Sequence, residues 1–462
     1  MGDLIRRLPV FDRRRAGVLL HPTALPGERG AFGAAGRAFI DWLAAAGFSI
    51  WQLLPLGPVS QSRSPYWTRC DFALDAQFID PAEVADRERQ RAEFDAFCER
   101  NGYWLEDYAL FVALGEECGG AAWWDWPAPL RDRGSAALDA ARKRLAPRLA
   151  QLRGEQWQAA RQLTALRRYA HLREVRLLGD LPIYLAPDSA TAWAQREQLQ
   201  LTATGRPALL AGVPPDYFAA GGQLWGNPLY DWNQARRDRF AFWRMRLSIQ
   251  LQRCDMLRLD HFRGLIGYWA VPPDAADARG GDWRAAPGRA LLQALRRNWP
   301  ELPLVAEDLG VITAEVETLR REFGLPGMRV LQFAFDGSPG NPHLPHHIDR
   351  DAVVYTGTHD NDTTLGWYRA LDHTMRQRVD FLLRSDVVPM PEALVRAALA
   401  SAAGLAVMPI QDLLGLGSEA RFNTPGTTAG NWSWKLWDGA LNDGLAGWCR
   451  ALNQVYDRAV SA

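Results

Sequence analysis

The amino-acid sequence predicts an α/β protein, a (β/α)8 TIM barrel with helical and loop insertions on its catalytic face. Three observations carry that expectation. Eight short apolar runs punctuate the chain. Three of them end in carboxylates, and a parallel barrel keeps its chemistry at the C-terminal ends of its strands. Two connections between runs are far longer than a strand-to-helix turn needs.

The runs cover residues 17–20, 50–54, 175–178, 256–259, 304–306, 330–335, 353–355 and 406–410. Most are strand-length, and near-continuous apolar character suits strands buried on both faces. Stretches such as 35–45 and 234–252 read as amphipathic helices between them, and eight strands alternating with helices is the count of this barrel. Residues 60–170, after the second strand, carry helical patterning of their own at 92–100, 108–117 and 136–152. Residues 186–235, after the third strand, are rich in Gly, Pro and aromatics. We expect a single catalytic barrel over 1–462, with a mainly helical insertion at 60–170 and a cleft-covering one at 186–235.

Composition excludes several classes of partner. Of 462 residues, 48% are hydrophobic and 23% charged, and 53 basic side chains balance 53 acidic ones. Nucleic acid or an anionic membrane would call for a basic excess, so neither is expected. The five cysteines are scattered without a CxxC, which suits a reduced compartment better than a disulfide framework. Residues 1–7 are followed by no apolar leader segment, and no run has the length of a membrane span. The expectation is a cytoplasmic protein, monomeric or a weak homo-oligomer.

Polar residues follow the runs closely: His21, Asp180, Asp260, Glu307, Asp336, His359, Asp360, Gln411 and Asp412. Any one could be a helix cap. In Arg258-Leu259-Asp260, strand alternation puts Arg258 and Asp260 on one side. A guanidinium there would keep a carboxylate ionised as a nucleophile, although a plain buried ion pair has the same spacing. The apolar approach Leu304-Val305-Ala306 could desolvate Glu307 and raise its pKa, as a general acid requires. His359-Asp360 could hold sugar hydroxyls, or form a polar turn. Many of the 20 tryptophans fall in the long connections, and flat amphipathic rings suit sugar faces. The Gly30, Gly33, Gly36 spacing is not that of a dinucleotide site. His343, His346 and His347 lack metal-ligand spacing.

Longer segments tie these together. They include Trp51-Gln52-Leu53-Leu54-Pro55-Leu56-Gly57-Pro58, Ser64-Pro65-Tyr66, Gly179-Asp180-Leu181-Pro182-Ile183-Tyr184 and Gly212-Val213-Pro214-Pro215-Asp216-Tyr217-Phe218. Gly222-Gln223-Leu224-Trp225-Gly226-Asn227-Pro228, the three acidic segments, and Arg421-Phe422-Asn423-Thr424-Pro425-Gly426 follow in order. Over nearly its whole length the chain resembles the 4-α-glucanotransferases (amylomaltase, or disproportionating enzyme), glycoside hydrolase family 77 of the α-amylase clan. The resemblance implies Asp260 as nucleophile, Glu307 as acid/base and Asp360 as a brace for the sugar in the transition state. It implies substrate contacts from Ser64, Tyr66, Asp180, Asp216, Tyr217, Gln223, Trp225, Arg258, His261, Asp336, His359 and Asn423. No metal or organic cofactor is expected. The partners it implies are α-1,4-glucans and maltooligosaccharides.

The reaction so implied transfers a glucan segment to the 4-hydroxyl of another sugar, with retention, through a covalent glucosyl-enzyme. An α-glucan hydrolase using the same carboxylates is the alternative, and a non-catalytic glucan-binding protein a more distant one.

Overall fold

A computed structural model of the protein describes residues 11–60, 62–215, 220–427 and 429–459. Twelve strands occur in chain order: β1 (Arg15–Leu19), β2 (Ile50–Gln52), β3 (Arg176–Leu181), β4 (Leu210–Val213), β5 (Gln223–Pro228), β6 (Met256–Leu259), β7 (Gly267–Val271), β8 (Asp282–Ala285), β9 (Leu304–Ala306), β10 (Gly327–Val330), β11 (Ala352–Tyr355) and β12 (Leu405–Pro409). Eight of them close a parallel barrel in the order β1-β12-β11-β10-β9-β6-β3-β2. The (β/α)8 expectation holds, and the eight apolar runs overlap the eight barrel strands with shifted ends, the sixth only at Val330.

The barrel strands are apolar on both faces because side chains fill the interior while helices cover the outside. Gly17 in β1 is dictated by closeness, since a Cβ there would stand 2.7 Å from that of Ile50 in β2. Towards the C-terminal ends the interior becomes polar: the buried Tyr355 hydroxyl donates to Gln52 Oε1 at 2.9 Å. At the other end of the barrel, the buried Arg458 guanidinium donates to the carbonyls of Leu399, Arg15, Ser401 and Ala403 at 2.7–2.9 Å. It thereby ties β1 to the segment that enters β12.

Three expectations need correction. The sixth run, 330–335, is not a strand: β10 ends at Val330, and Leu331–Phe333 forms a 3-10 turn. Leu331 and Phe335 are buried by packing, Phe335 against Trp367 with ring centroids 5.8 Å apart, so the run is apolar without being extended. The predicted helix 234–252 is two helices, Trp232–Arg237 and Ala241–Arg253, broken where Arg239 and Phe240 take left-handed φ of 57° and 58°. Conversely, the stretches 92–100 and 108–117 are one helix, Arg91–Glu117.

Between β2 and β3 the chain is chiefly helical, with Arg91–Glu117 packed on Ala146–Leu172. A four-stranded antiparallel sheet, ordered β5-β4-β7-β8, stands apart from the barrel. Only its first two strands come from the connection after β3. The other two rise from the connection after β6, where the sequence reading placed no strand. Among the described residues, no helix is long and apolar enough to cross a membrane.

Replacing Arg458 with Met should remove a donor from each of those carbonyls, of which Leu399 and Ser401 keep a bond from Arg14 at 2.7 and 2.8 Å. We expect a loss of about 1–3 kcal/mol in unfolding free energy at unchanged m-value, read by urea denaturation.

Candidate active site

The C-terminal ends of β3, β6 and β11, with Tyr66 from the connection after β2, bring five of the predicted residues into one hydrogen-bonded cluster. Asp180 on β3 and Arg258 on β6 are register partners. Arg258, buried, donates through Nη1 to Asp180 Oδ2 and through Nη2 to Asp260 Oδ1, both at 2.7 Å. Tyr66 donates its hydroxyl hydrogen to Asp180 Oδ2 at 2.6 Å, and that hydroxyl lies 2.9 Å from His359 Nε2. Strand alternation puts the guanidinium beside the carboxylate two residues on. The second oxygen of Asp180 is buried without a hydrogen-bond partner among the described residues.

Glu307 enters from the neighbouring strand. The last ladder pair of β6 and β9 is Leu259 with Ala306, so Asp260 and Glu307 are the next residues at matched register. Adjacent strands run roughly 4.8 Å apart. The Glu307 backbone is locked to this turn: its N–H donates to Leu259 O at 3.1 Å, and its carbonyl accepts from Phe262 N at 3.0 Å. Its carboxyl accepts from the backbone N–H of His261 at 2.6 Å and of Leu309 at 3.2 Å. The first of these bonds requires His261 to hold a left-handed φ of 49°, a costly conformation for a residue with a Cβ, kept at a functional turn.

The two carboxyls differ in what they touch. Burial lifts Glu307 well above the usual carboxylate range, and the nearby Asp260 charge adds to the effect. Burial also lifts Asp260, to about 7, but the Arg258 guanidinium in direct contact opposes that rise. Asp260 therefore ionises first and Glu307 keeps the proton, the separation of roles that acid/nucleophile pairs need. Burial lowers His359, so its ring is neutral and can share the Tyr66 hydroxyl. His261 is lowered by burial to about 4.

Asp360 sits beside this cluster, its Oδ1 accepting from Asn423 Nδ2 at 2.6 Å. Arg421 donates to the carbonyls of both Asp360 and Asn423, at 2.7 and 2.8 Å. Two aromatic walls flank the group. Trp225 on β5 meets the His261 ring edge-on at 4.8 Å and neighbours Tyr184 at 6.2 Å. Trp432 lies 6.2 Å from Tyr66 and 6.0 Å from His359.

A family profile described as 4-alpha-glucanotransferase, glycoside hydrolase family 77, matches residues 20–90 and 81–439. The chain belongs to this family. A Thermus thermophilus 4-alpha-glucanotransferase is 43% identical to it, across 96% of this chain and 99% of the relative. One from Synechocystis is 41% identical across 98% and 99%. The solved amylomaltase of Streptococcus agalactiae, in complex with acarbose, superposes with a TM-score of 0.92 at 28% identity, over 97% of this chain and all of that one.

Within this family member the remaining predicted residues divide. Ser64 accepts from the Tyr66 N–H at 3.3 Å and so shapes the turn that presents Tyr66. Gln223 is exposed and accepts from Trp225 Nε1 at 3.1 Å. Asp336 does not join the cluster: it is exposed, six residues past the end of β10, and accepts from Ser338 N at 2.8 Å in its own turn. Asp216 and Tyr217 lie outside the described residues. Asp412, noted among the strand ends, is a structural tie that accepts from Thr356 and Thr364. His343 accepts from Val330 N at 3.1 Å and serves the turn after β10. The sequence reading did not single out Tyr184, Arg421 or His21 as site residues. His21 lines a small cavity with His359, Asn361 and Arg421, and its position just past β1 was the available signal.

A carboxyl whose pKa is raised by folding is stabilising only in its protonated form, so its charge costs stability as pH rises from the unfolded value, roughly 4, through the folded one. For Asp260 that window runs to about 7. Asp260→Asn should therefore raise the thermal midpoint, with a small gain near pH 4 that grows towards pH 7. A gain equal at both pH values would contradict the burial argument.

Proposed function

We propose that the chain is a 4-alpha-glucanotransferase that moves a segment of an α-1,4-glucan or maltooligosaccharide to the 4-hydroxyl of another glucan or of glucose, by retaining double displacement. The observation that carries this reading is the asymmetry of the register pair: Arg258 touches Asp260 and not Glu307. Adjacent strand ends suit the roughly 5–5.5 Å carboxyl separation of retaining enzymes.

Asp260 attacks the anomeric carbon with the oxygen that Arg258 leaves free. The glycosidic C–O bond breaks, and its electron pair stays on the departing oxygen, which takes the proton of Glu307. The glycosyl ester on Asp260 then meets an acceptor. Glu307, now a carboxylate, removes the acceptor's hydroxyl proton, the new C–O bond forms, and the Asp260 carboxylate is restored. Asp360, held by Asn423, is placed to bind sugar hydroxyls as positive charge develops. Asp180, Tyr66, His359 and Arg258 support the reacting ring.

Transfer outruns hydrolysis only if a sugar reaches the ester ahead of water. Trp225 and Trp432 support that outcome, since closing an apolar wall over a site expels water. The acarbose held by the Streptococcus relative supports an α-glucan as substrate.

Purified protein given maltotriose should yield glucose plus a ladder of longer oligosaccharides on chromatography; shortening alone would show a hydrolase. Asp260→Asn and Glu307→Gln should each lose several orders of magnitude in turnover while retaining the native circular dichroism spectrum. Near-normal rates in either variant contradict the assigned roles.

A further inference from the structure

A cavity of about 240 Å3 opens on the outer side of the catalytic turns, lined by Arg263, Ile266, Gly267, Trp283, Thr313 and Val316 among others. That is the share of about eight liquid waters. Its walls are the turn three residues past Asp260, the segment six residues past Glu307, and the strand β8. Trp283 on β8 is 42% exposed at this cavity. The Arg263 guanidinium lies 3.8 Å from its ring centroid, and among the described residues Arg263 has no carboxylate partner. Trp269 supports the indole edge-on at 5.2 Å. The indole is thus covered on one face by a guanidinium, fixed at its edge by a cross-strand neighbour, and still left 42% exposed.

The local charges select a neutral ligand. Arg284 is neutralised by Asp282 at 3.0 Å, and the helix that begins at Ala314 carries Glu315 and Glu317 in its first turn. Those carboxylates adjoin Thr313 and Val316 of the lining in the chain and weigh against an anion. What remains is an indole face, guanidinium and hydroxyl groups, and space for a sugar ring. Because two walls of the cavity belong to the segments that follow Asp260 and Glu307, a polymer engaged at the catalytic centre is the occupant within reach.

Resting on the proposed glucan-transferring function, we propose that this cavity is an auxiliary site that holds part of the α-glucan chain remote from the bond being broken, by stacking a sugar ring on Trp283. Trp283→Ala should raise KM for a long amylose by about two- to ten-fold, the range an aromatic stacking contact supports. kcat and KM for maltotriose should not move, and Trp283→Phe should restore the amylose KM. Should Trp283→Ala not fold, Trp283→Gln, which keeps much of the bulk, carries the same comparison. An unchanged amylose KM overturns the proposal. So does an equal loss on maltotriose, which would make Trp283 a brace for the catalytic turns. Calorimetry separates this idea from the catalytic one: Asp260→Asn should bind maltoheptaose at two sites, and Asp260→Asn with Trp283→Ala at one. Two-site binding by Asp260→Asn together with a wild-type chain that lacks transferase activity would keep the auxiliary site and sink the catalytic reading. Competition by inorganic phosphate for the Trp283-dependent event would overturn the neutral-glucan assignment.

Discussion

The ion pair that Arg258 makes with two carboxylates is the constraint on which the rest of the site depends. One guanidinium joins β3 to β6 through Asp180 and then reaches along its own strand to Asp260. A charge buried at the mouth of a barrel is costly unless it is paired and hydrogen-bonded. Here the pairing is also what makes two similar carboxyls unequal. Glu307 receives backbone N–H groups but no cation, so desolvation and the neighbouring charge keep it protonated. Asp260 receives the cation and can lose its proton first. Chemistry that needs a nucleophile beside an acid follows from that difference in contacts.

The barrel supplies the precision. Asp260 and Glu307 are neighbours because two short parallel strands end in register, and the turn after Asp260 bonds to Glu307 through both backbone and side chain. The left-handed His261 is the point of strain in that linkage. Its ring is held by Trp225 from the antiparallel sheet, so the element that walls the cleft also touches the turn joining the two carboxyls. Asp360 is positioned less directly, from a loop beyond β11, and depends on Asn423 and Arg421 to fix it.

Much of this was legible in the sequence, and the failures have physical causes. Barrel strands such as β11 and β12 announce themselves because burial on both faces removes polar residues altogether. The sixth run misled because Leu331 and Phe335 are buried in a turn, and apolar character reports burial rather than extension. Asp336, which follows that run, therefore stands in a turn of its own and not at a strand end. β5 and β8 were not visible: Gln-Leu-Trp-Gly-Asn-Pro runs from exposed to buried without alternation, Asp-Trp-Arg-Ala is mostly exposed, and neither holds a β-branched residue. The break at Arg239 and Phe240 has no Gly or Pro to mark it. Arg258, Asp260 and Glu307 were readable because alternation and an apolar approach act within a few residues. Tyr184 and Arg421 act through contacts across distant segments, which local pattern does not encode.

The most direct test of the account is to identify the side chain that carries the sugar. In Glu307→Gln, an α-maltosyl fluoride donor needs no acid to release its leaving group, so the first step can proceed while the second lacks its base. Peptide mass spectrometry after rapid acid quench should then find one glycosyl group esterified to Asp260. A glycosyl group on any other carboxylate, or none at all while fluoride is released at a steady rate, would contradict the roles assigned to Asp260 and Glu307.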